Sequence, residues 1–443
     1  MLTAYLLSLG CPRNMIDSEV LLGLLEKKGV TIAESPEGTD IAIVNTCGFI
    51  NDAKQESINY ILELAEMKKL GDIKKLVVCG CLPQRYPLEL REEIKEIDAI
   101  FGTADFIRIP DLWDRIMSGR PVNEVSAAPD FLYDHTYPRK LIPSKHFTYV
   151  KIQEGCSNRC SYCVIPDLKG PRRSRIVSSV EAEVKALRAE HGVREVILIG
   201  QDTTSFGMDR GVYGELAVLL RKLSPLVEDG WLRLLYTHPA HITEEIINIM
   251  ADTPNICNYL DLPIQHISDR VLNDMNRRVT MQRIRDVLGF VRRKVPEVII
   301  RTSVIAGFPG ETENEFRQLM DFLREVKFDR LGAFVYSREE GTPAAKMSGQ
   351  VPEKVKMERM AEIMALQQEI SAENNMKYIG RTYRAIVDEI VEGSDTEYIG
   401  RTYMDAPEVD GVMYIRGKGL SAGDMVDVRV TGSMEYDLIG EVA

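Results

Sequence analysis

Three thiols, Cys156, Cys160 and Cys163, stand in one ten-residue run, Glu-Gly-Cys-Ser-Asn-Arg-Cys-Ser-Tyr-Cys. A loop that short can wrap one face of an iron–sulfur cube, and three thiolates for four irons leave one iron without a protein ligand. A zinc knuckle would want a fourth Cys or His at motif distance, but the nearest downstream histidine is His191, beyond a predicted helix. A disulfide pair fits poorly as well. The opening Met-Leu-Thr-Ala-Tyr-Leu-Leu-Ser-Leu-Gly has no basic n-region, so the cysteines are expected in a reducing cytoplasm.

Three further cysteines gather through topology instead of spacing. Apolar runs at Ala4 to Leu9, Ile41 to Asn45 and Leu76 to Val78 alternate with amphipathic stretches at about 14–28, 52–69 and up to 96. Such alternation predicts a parallel sheet covered by helices. Cys11, Cys47 and Cys81 each sit at or just after the carboxyl end of one strand, and in an open parallel sheet those ends share one edge. A second three-cysteine set is therefore expected there; the alternative is ordinary buried cysteines, which behave as small hydrophobes. Cys79 lies inside its strand and competes with Cys81. Cys81, in the strand-to-helix turn, is preferred as the ligand, and Cys79 and Cys257 read as packing.

The chain has 443 residues, 44% of them hydrophobic, and no apolar run near the roughly 20 residues of a membrane helix. Its formal charge of −12 argues against a uniformly basic nucleic-acid binder. Of the basic clusters, Arg292, Arg293 and Lys294 read as a solvated helix face. Arg172, Arg173 and Arg175 follow the cysteine loop closely and are expected to line its cavity.

Organisation follows from the pattern: an N-terminal open parallel α/β domain over 1–120, a proline-bearing linker over 121–142 (Pro121, Pro129, Pro138 and Pro143 at its end), and a central unit over 143–378. The central unit shows strand-like runs at Phe147 to Ile152, Glu195 to Ile199, Leu232 to Tyr236, Tyr259 to Leu262, Val298 to Ile305 and Leu331 to Tyr336. Six βα units predict a partial or complete TIM-like barrel with its active face at the carboxyl ends. The cysteine loop, Gly200-Gln201-Asp202, His238, Gln265-His266 and Gly307-Phe308-Pro309-Gly310-Glu311 all fall on that face. Asp202 can accept from an ammonium or a ribose, although a lone Asp there is often a helix cap. The helix from about Glu353 to Lys377 carries a methionine stripe that reads as core packing. Over 379–443, five short runs predict a small antiparallel β-barrel.

The cysteine loop, with Tyr162 before its last thiol, resembles that of radical S-adenosylmethionine enzymes. The three segments together resemble their methylthiotransferase family, in the order cluster domain, radical barrel, TRAM barrel. The resemblance spans the chain and is carried by Leu-Gly-Cys-Pro-Arg-Asn-Met-Ile-Asp-Ser-Glu (9–19), Asn-Thr-Cys (45–47), Gly-Cys-Leu-Pro-Gln-Arg-Tyr (80–86), Leu-Pro-Ile-Gln-His (262–266), Gly-Phe-Pro-Gly-Glu-Thr (307–312) and Tyr-Ser-Arg-Glu-Glu-Gly-Thr-Pro (336–343). Gly-Cys-Pro-Arg-Asn and Lys-Gly-Pro-Arg-Arg-Ser-Arg (169–175) are most similar to the branch that modifies an aspartate of ribosomal protein S-twelve; the tRNA-modifying branch usually has Gln-Met-Asn after its first cysteine.

The resemblance implies two [4Fe-4S] clusters, one on Cys156, Cys160 and Cys163 and one on Cys11, Cys47 and Cys81, with S-adenosylmethionine on the open iron of the first. It implies Tyr162 near the adenine and a low-potential electron donor of unspecified identity. Their positions on the strand-end face and after the cysteine loop make Gln201 and Asp202 candidate contacts to the bound methionine or ribose and Arg173 and Arg175 candidates to neutralise carboxylates, and no general base is needed. Charge supplies a separate argument. Between Ile379 and Ala443 six basic residues stand against thirteen acidic ones, a balance of −7, which repels RNA phosphates and suits a basic protein. The rival readings are a tRNA adenosine methylthiotransferase and a non-catalytic iron–sulfur RNA-binding or assembly factor.

Overall fold

The structure, a computed structural model, describes residues 2–142 and 146–443; Met1 and the linker proline Pro143 lie outside the described residues. The first unit is a six-stranded, all-parallel sheet in the order β2-β1-β3-β4-β5-β6, built from β1 (Thr3–Ser8), β2 (Thr31–Ile32), β3 (Ile41–Thr46), β4 (Lys75–Gly80), β5 (Ile97–Phe101) and β6 (Val122–Glu124). Every residue of β3 is buried, as expected of a strand covered on both faces. Helices Pro12–Lys27 and Asn51–Leu70 supply cover. The first starts on a proline, whose fixed φ suits a helix entry; the second stops at Gly71, whose φ of +88° ends it in the left-handed conformation.

Two expectations change. The helical stretch to about 96 is two short helices, Cys81–Arg85 and Pro87–Glu93, followed by a fifth strand that the sequence reading missed. The segment expected to be linker contains β6, which completes the sheet, and its remainder is packed: Tyr133 is buried and Arg139 bonds Glu19 of the first helix and Glu183 of the central unit. Proline content marks irregular backbone, but whether that backbone is packed depends on partners far away in the chain.

The central unit contains β7 (Phe147–Lys151), a two-stranded pair β8 (Gln153–Glu154) and β9 (Arg173–Ser174), β10 (Glu195–Ile199), β11 (Trp231–Leu234), β12 (Tyr259–Asp261), β13 (Ile299–Ala306) and β14 (Arg330–Val335). Its six long strands form two parallel sheets, β11-β10-β7 and β12-β13-β14, joined by a parallel bridge between Leu232 and Ile256. The barrel is partial. The six strands predicted from the pattern are the six observed.

The last unit is a closed five-stranded barrel of β15 (Thr382–Ile390), β16 (Glu397–Thr402), β17 (Met413–Arg416), β18 (Met425–Ser433) and β19 (Leu438–Val442), in the order β15-β16-β17-β19-β18. It is not wholly antiparallel, because β17 and β19 pair in parallel. It seats on the amino ends of the central strands through buried ion pairs. Glu195 bonds both Arg233 (2.6 Å) and Arg401 (2.7 Å), and Arg330 meets Asp405 at 2.7 Å. One apolar cluster runs from Ile16 and Val20 through Tyr149, Ile197 and Tyr259 to Ile386 and Val387, so the three units share a core.

Candidate active site

The carboxyl ends of β1, β3 and β4 are neighbours in the sheet, and a cysteine follows each one. Cys11 is the extended residue before helix Pro12–Lys27, Cys47 follows β3, and Cys81 opens helix Cys81–Arg85. Their closeness shows in what a side chain would strike: a Cβ on Gly10 would lie 2.7 Å from the Cβ of Cys47, and one on Gly48 would lie 2.9 Å from the carbonyl carbon of Cys81. Asn14 and Asn45 lock this edge. The Asn14 amide donates to the carbonyls of Leu9 (2.8 Å) and Asn45 (3.3 Å), and the Asn45 amide donates to the Asn14 carbonyl (3.0 Å). Cys79 instead lies buried in the sheet with Ile43, Val77 and Phe101, where burial pushes its thiol up.

The second set follows β7. Cys156 donates its N–H to the Gly170 carbonyl (3.1 Å), Cys163 donates to that of Cys160 (3.1 Å), and Arg159 between them holds a left-handed φ of +52°. Ser161 donates to Met275 (3.0 Å) and accepts from Ala344 (2.9 Å), so turns far along the chain hold the loop. Gly155 has φ of +73°, and a Cβ there would fall 2.2 Å from the Pro171 carbonyl oxygen. Gly155→Ala combines left-handed strain with a backbone clash, so we expect the loop to lose its shape and the purified protein to lose most of the iron bound at this loop, as read by iron analysis and visible absorbance.

Both sets adjoin one space. Cys81 packs with Val164 and Leu168, which lie just past the second cysteine loop. Arg13 spans the gap: Nε lies 3.5 Å from Cys11 Sγ, Nη1 donates to the Gly200 carbonyl at 2.9 Å, and its guanidinium stacks 4.4 Å above the Tyr236 ring. Burial works to raise the Cys11 thiol, but Arg13 and the Asn14 N–H outweigh it and the net shift is downward. Burial pushes the thiols of Cys81 and Cys163 up to about 12 and raises those of Cys47 and Cys156. Such thiols ionise readily only against a cation or a metal centre. Among the described residues, no three His, Cys, Asp or Glu side chains close on one point as a single ion requires. A four-iron cube sets each thiolate on its own iron and needs no common point.

Buried polar atoms without partners mark the rest of the cavity. Gln153 Oε1, Gln201 Oε1, His238 Nε2, Arg172 Nε and Arg277 Nε are all buried and unbonded. Leaving such groups unpaired is costly, so five around the same barrel mouth fit a polar ligand. Arg277 also reaches Cys160 Sγ (3.6 Å) and the Pro263 carbonyl (2.7 Å). Burial, reinforced by Arg277, pushes His238 well below its ordinary range and keeps it neutral.

Gln201 donates to Glu154 at 2.6 Å. Asp202 accepts from Asn158 of the cysteine loop (2.8 Å), from His241 (2.7 Å) and from Thr204 (2.6 Å). Burial alone would raise this carboxyl, but the bonds from His241 and Thr204 hold it well below the usual range. Asp202 therefore anchors the loop whatever else it contacts. Tyr162 packs against the group of Val271, Met275, Phe308 and Tyr336.

Two expected residues point elsewhere. Arg175 pairs with Glu183, donates to Ser179 and stacks 4.6 Å over Tyr133, while Arg173 donates to the carbonyls of Pro171, Lys169 and Phe131. The expectation that both neutralise cavity carboxylates is corrected: their guanidinium groups are taken by Glu183 and by backbone carbonyls, and Arg172, just before β9, is the one that approaches Asp202, at 4.0 Å. Arg13, Tyr236, Arg277, His238 and His241 complete the cavity. Arg13 lies two positions after Cys11, but nothing local marks Tyr236.

Ion pairs hold the first unit over the barrel. Lys151 bonds Asp17 and also Glu154 (2.7 Å), Lys169 bonds Asp17 (3.0 Å), and the buried Glu339 accepts from Lys54 (2.9 Å) and Arg85 (2.6 Å). Arg85 also reaches the carbonyl of Gly48, beside Cys47, at 3.2 Å. Glu339→Gln leaves two cations short of their carboxylate. We expect a loss of about 3 kcal/mol in denaturant unfolding, with group transfer falling more than cofactor cleavage.

A partial (β/α) barrel with a three-cysteine loop after its first strand defines a radical S-adenosylmethionine enzyme. Residues 150–323 match the Radical SAM superfamily, residues 3–102 the Uncharacterized protein family UPF0004 and residues 379–443 the TRAM domain. Solved structures share the fold at low identity: TsrM from Kitasatospora setae, a radical S-adenosylmethionine methyltransferase with cobalamin and a [4Fe-4S] cluster bound (TM-score 0.57, 16% identity, 77% of this chain and 76% of that one), and the cobalamin-dependent radical enzyme OxsB (TM-score 0.54, 11% identity, 83% and 62%). Among curated relatives, the ribosomal protein uS12 methylthiotransferase RimO of Desulforamulus reducens is 48% identical over 99% of both chains. That of Clostridioides difficile is 45% identical over 100% of this chain and 99% of its own. The chain belongs to the family of ribosomal protein uS12 methylthiotransferases, RimO.

Proposed function

We propose that the protein inserts a methylthio group at the β-carbon of an aspartyl residue of ribosomal protein uS12, replacing an unactivated C–H bond. The observation that carries the reading is the meeting of two three-cysteine sets at one cavity in a chain of this family. Cys156, Cys160 and Cys163 would hold one [4Fe-4S] cluster and Cys11, Cys47 and Cys81 the other. When bound, the clusters and S-adenosylmethionine supply the 5′-deoxyadenosyl radical that takes the hydrogen and the methylthio group that replaces it.

The chain's own residues place and enclose this chemistry. Asp202 fixes the cysteine loop through Asn158, and the unpaired atoms of Gln201, Gln153, Arg172, Arg277 and His238 offer hydrogen bonds to the cofactor. Tyr162 backs the loop from the side of Phe308 and Tyr336 and would face the adenine. The Lys151–Asp17, Lys169–Asp17 and Glu339 pairs hold the two cysteine sets in register, an advantage of preorganised geometry. No side chain is needed as a general base. Reduction requires a low-potential electron donor, and cysteines that serve as thiolate ligands suit a reducing cytoplasm. No helix among the described residues is long and apolar enough to cross a membrane.

The five-stranded barrel lies at the amino ends of the strands, so its −7 balance acts on a partner as a field and not as a contact at the cavity. That field favours a basic ribosomal protein over tRNA. Incubating the iron-loaded enzyme, reductant and cofactor with a peptide of uS12 or with tRNA, then reading the methylthio mass gain by mass spectrometry, tests the proposal. Gain on the peptide is expected; gain on tRNA alone would overturn it in favour of a tRNA methylthiotransferase.

A further inference from the structure

We propose that Arg13 reads the carboxylate of the substrate aspartyl side chain and so sets the enzyme's preference for Asp over its neutral isostere Asn. The inference rests on the aspartyl reading above and names the residue that enforces it.

Position comes first. The reacting carbon has to lie between the radical source and the sulfur donor, hence between the two cysteine sets. The carboxylate carbon is bonded to it, only about 1.5 Å away, so the charge to be held enters the same gap. Arg13 occupies that gap: Nε lies 3.5 Å from Cys11 Sγ of one set, and Nη1 donates at 2.9 Å to the carbonyl of Gly200, two residues before the Asp202 that holds Asn158 in the loop of the other set.

Availability is the second argument. The other cations beneath the site are committed: Lys151 and Lys169 to Asp17 and Glu154, Arg139 to Glu19 and Glu183, Arg175 to Glu183. Arg13 forms no ion pair with a carboxylate among the described residues. Nε and Nη1 are engaged by Cys11 and Gly200, which leaves Nη2 as a donor with no protein partner among them. Arg172 already faces the carboxylate of Asp202 at 4.0 Å, and Arg277 is engaged at Cys160 and the Pro263 carbonyl, both on the side where the cofactor is expected.

Support from below is the third. Tyr236 holds a left-handed φ of +58°, unfavourable for a bulky residue, and its N–H is fixed by Asp261 at 2.8 Å. That conformation sets the ring under the guanidinium at 4.4 Å, so the fork is preorganised before a carboxylate arrives.

The test uses iron-loaded wild type, Arg13→Met and Arg13→Lys with two uS12 peptides that differ only by Asp or Asn at the modified position, reading Kd for each and the methylthio product. We expect the wild type to bind the Asp peptide about tenfold to a hundredfold more tightly than the Asn peptide, as for a hydrogen bond to a charged group. Arg13→Met should bring the ratio to about one by weakening the Asp peptide alone, and Arg13→Lys, which keeps the charge but not the fork, should fall between. A ratio unchanged in both variants, or equal weakening of both peptides, would overturn the inference and make Arg13 a tie between domains. Loss of cofactor affinity with the peptide ratio intact would overturn it in favour of a cofactor contact. If Arg13→Met fails to fold, the ratio in Arg13→Lys decides alone. A wild type that modified neither peptide would remove the functional reading too, whereas one that modified the Asp peptide beside an unaltered ratio in the variants would remove only this inference.

Discussion

Replacing Cys160 with alanine is expected to abolish release of 5′-deoxyadenosine from S-adenosylmethionine, and with it all methylthiolation. Cys160 is the middle thiol of the loop, and its Sγ lies 3.6 Å from the Arg277 guanidinium. Its backbone carbonyl accepts from Cys163 N–H, and the loop's other anchors, through Ser161 and Asn158, do not use the thiol. The substitution should therefore leave the loop's backbone in place while removing one of three protein ligands to a cluster that has no fourth. Iron should fall from about eight to about four per chain if both clusters are cubes. Anaerobic chromatography of the nucleoside product, beside iron analysis, checks this. Undiminished product would show that the loop does not hold the radical-generating centre.

Cys47→Ala should separate the two halves of the reaction. Cys47 follows β3 on the other side of the cavity, and its backbone is held independently of its thiol: Ser57 Oγ accepts from Cys47 N–H at 3.1 Å and donates to its carbonyl at 2.9 Å. The variant should keep the fold, keep cofactor cleavage within about a factor of two to three, and lose methylthio transfer to the peptide, because the loop around Cys156, Cys160 and Cys163 is untouched. The measurement is the ratio of methylthiolated peptide to 5′-deoxyadenosine in one reaction mixture. If that ratio stayed at the wild-type value, the Cys11, Cys47 and Cys81 set would not carry the sulfur. The opposite result for Cys160→Ala, loss of both products, makes the pair diagnostic of which set does what.

Much of this arrangement was legible before any coordinates. Strand–helix alternation alone put Cys11, Cys47 and Cys81 on one sheet edge, because in a parallel sheet all carboxyl ends emerge together, and the Gly10–Cys47 and Gly48–Cys81 approaches show that edge closing up. The short run 154–163 named the other set through spacing. The same local logic failed for Arg173 and Arg175. Closeness in sequence to the cysteine loop suggested the cavity, but Glu183 and the carbonyls of Lys169 and Phe131, partners with no trace in the local motif, take Arg175 and Arg173, and Arg172 approaches Asp202 instead. The stretch 121–142 failed for a related reason: its prolines signal irregular backbone but carry no information on Glu19 or Glu183, the partners that pack it through Arg139.

The amino-acid sequence by itself determined the order of three units, the six strands of the partial barrel, the five of the closed one and the run holding Cys156, Cys160 and Cys163, because each of these follows from periodicity or spacing within a few tens of residues; the alternation of strands and helices put Cys11, Cys47 and Cys81 on one edge. Only the tertiary structure decided that Arg13 and Tyr236 meet between the thiols, that Glu339 ties Lys54 and Arg85 to the barrel, and that the acidic barrel seats on the amino ends of the strands, away from the cavity. These are charge pairs and stackings between residues hundreds of positions apart, and their partners are chosen by packing in three dimensions, which leaves no periodic trace along the chain.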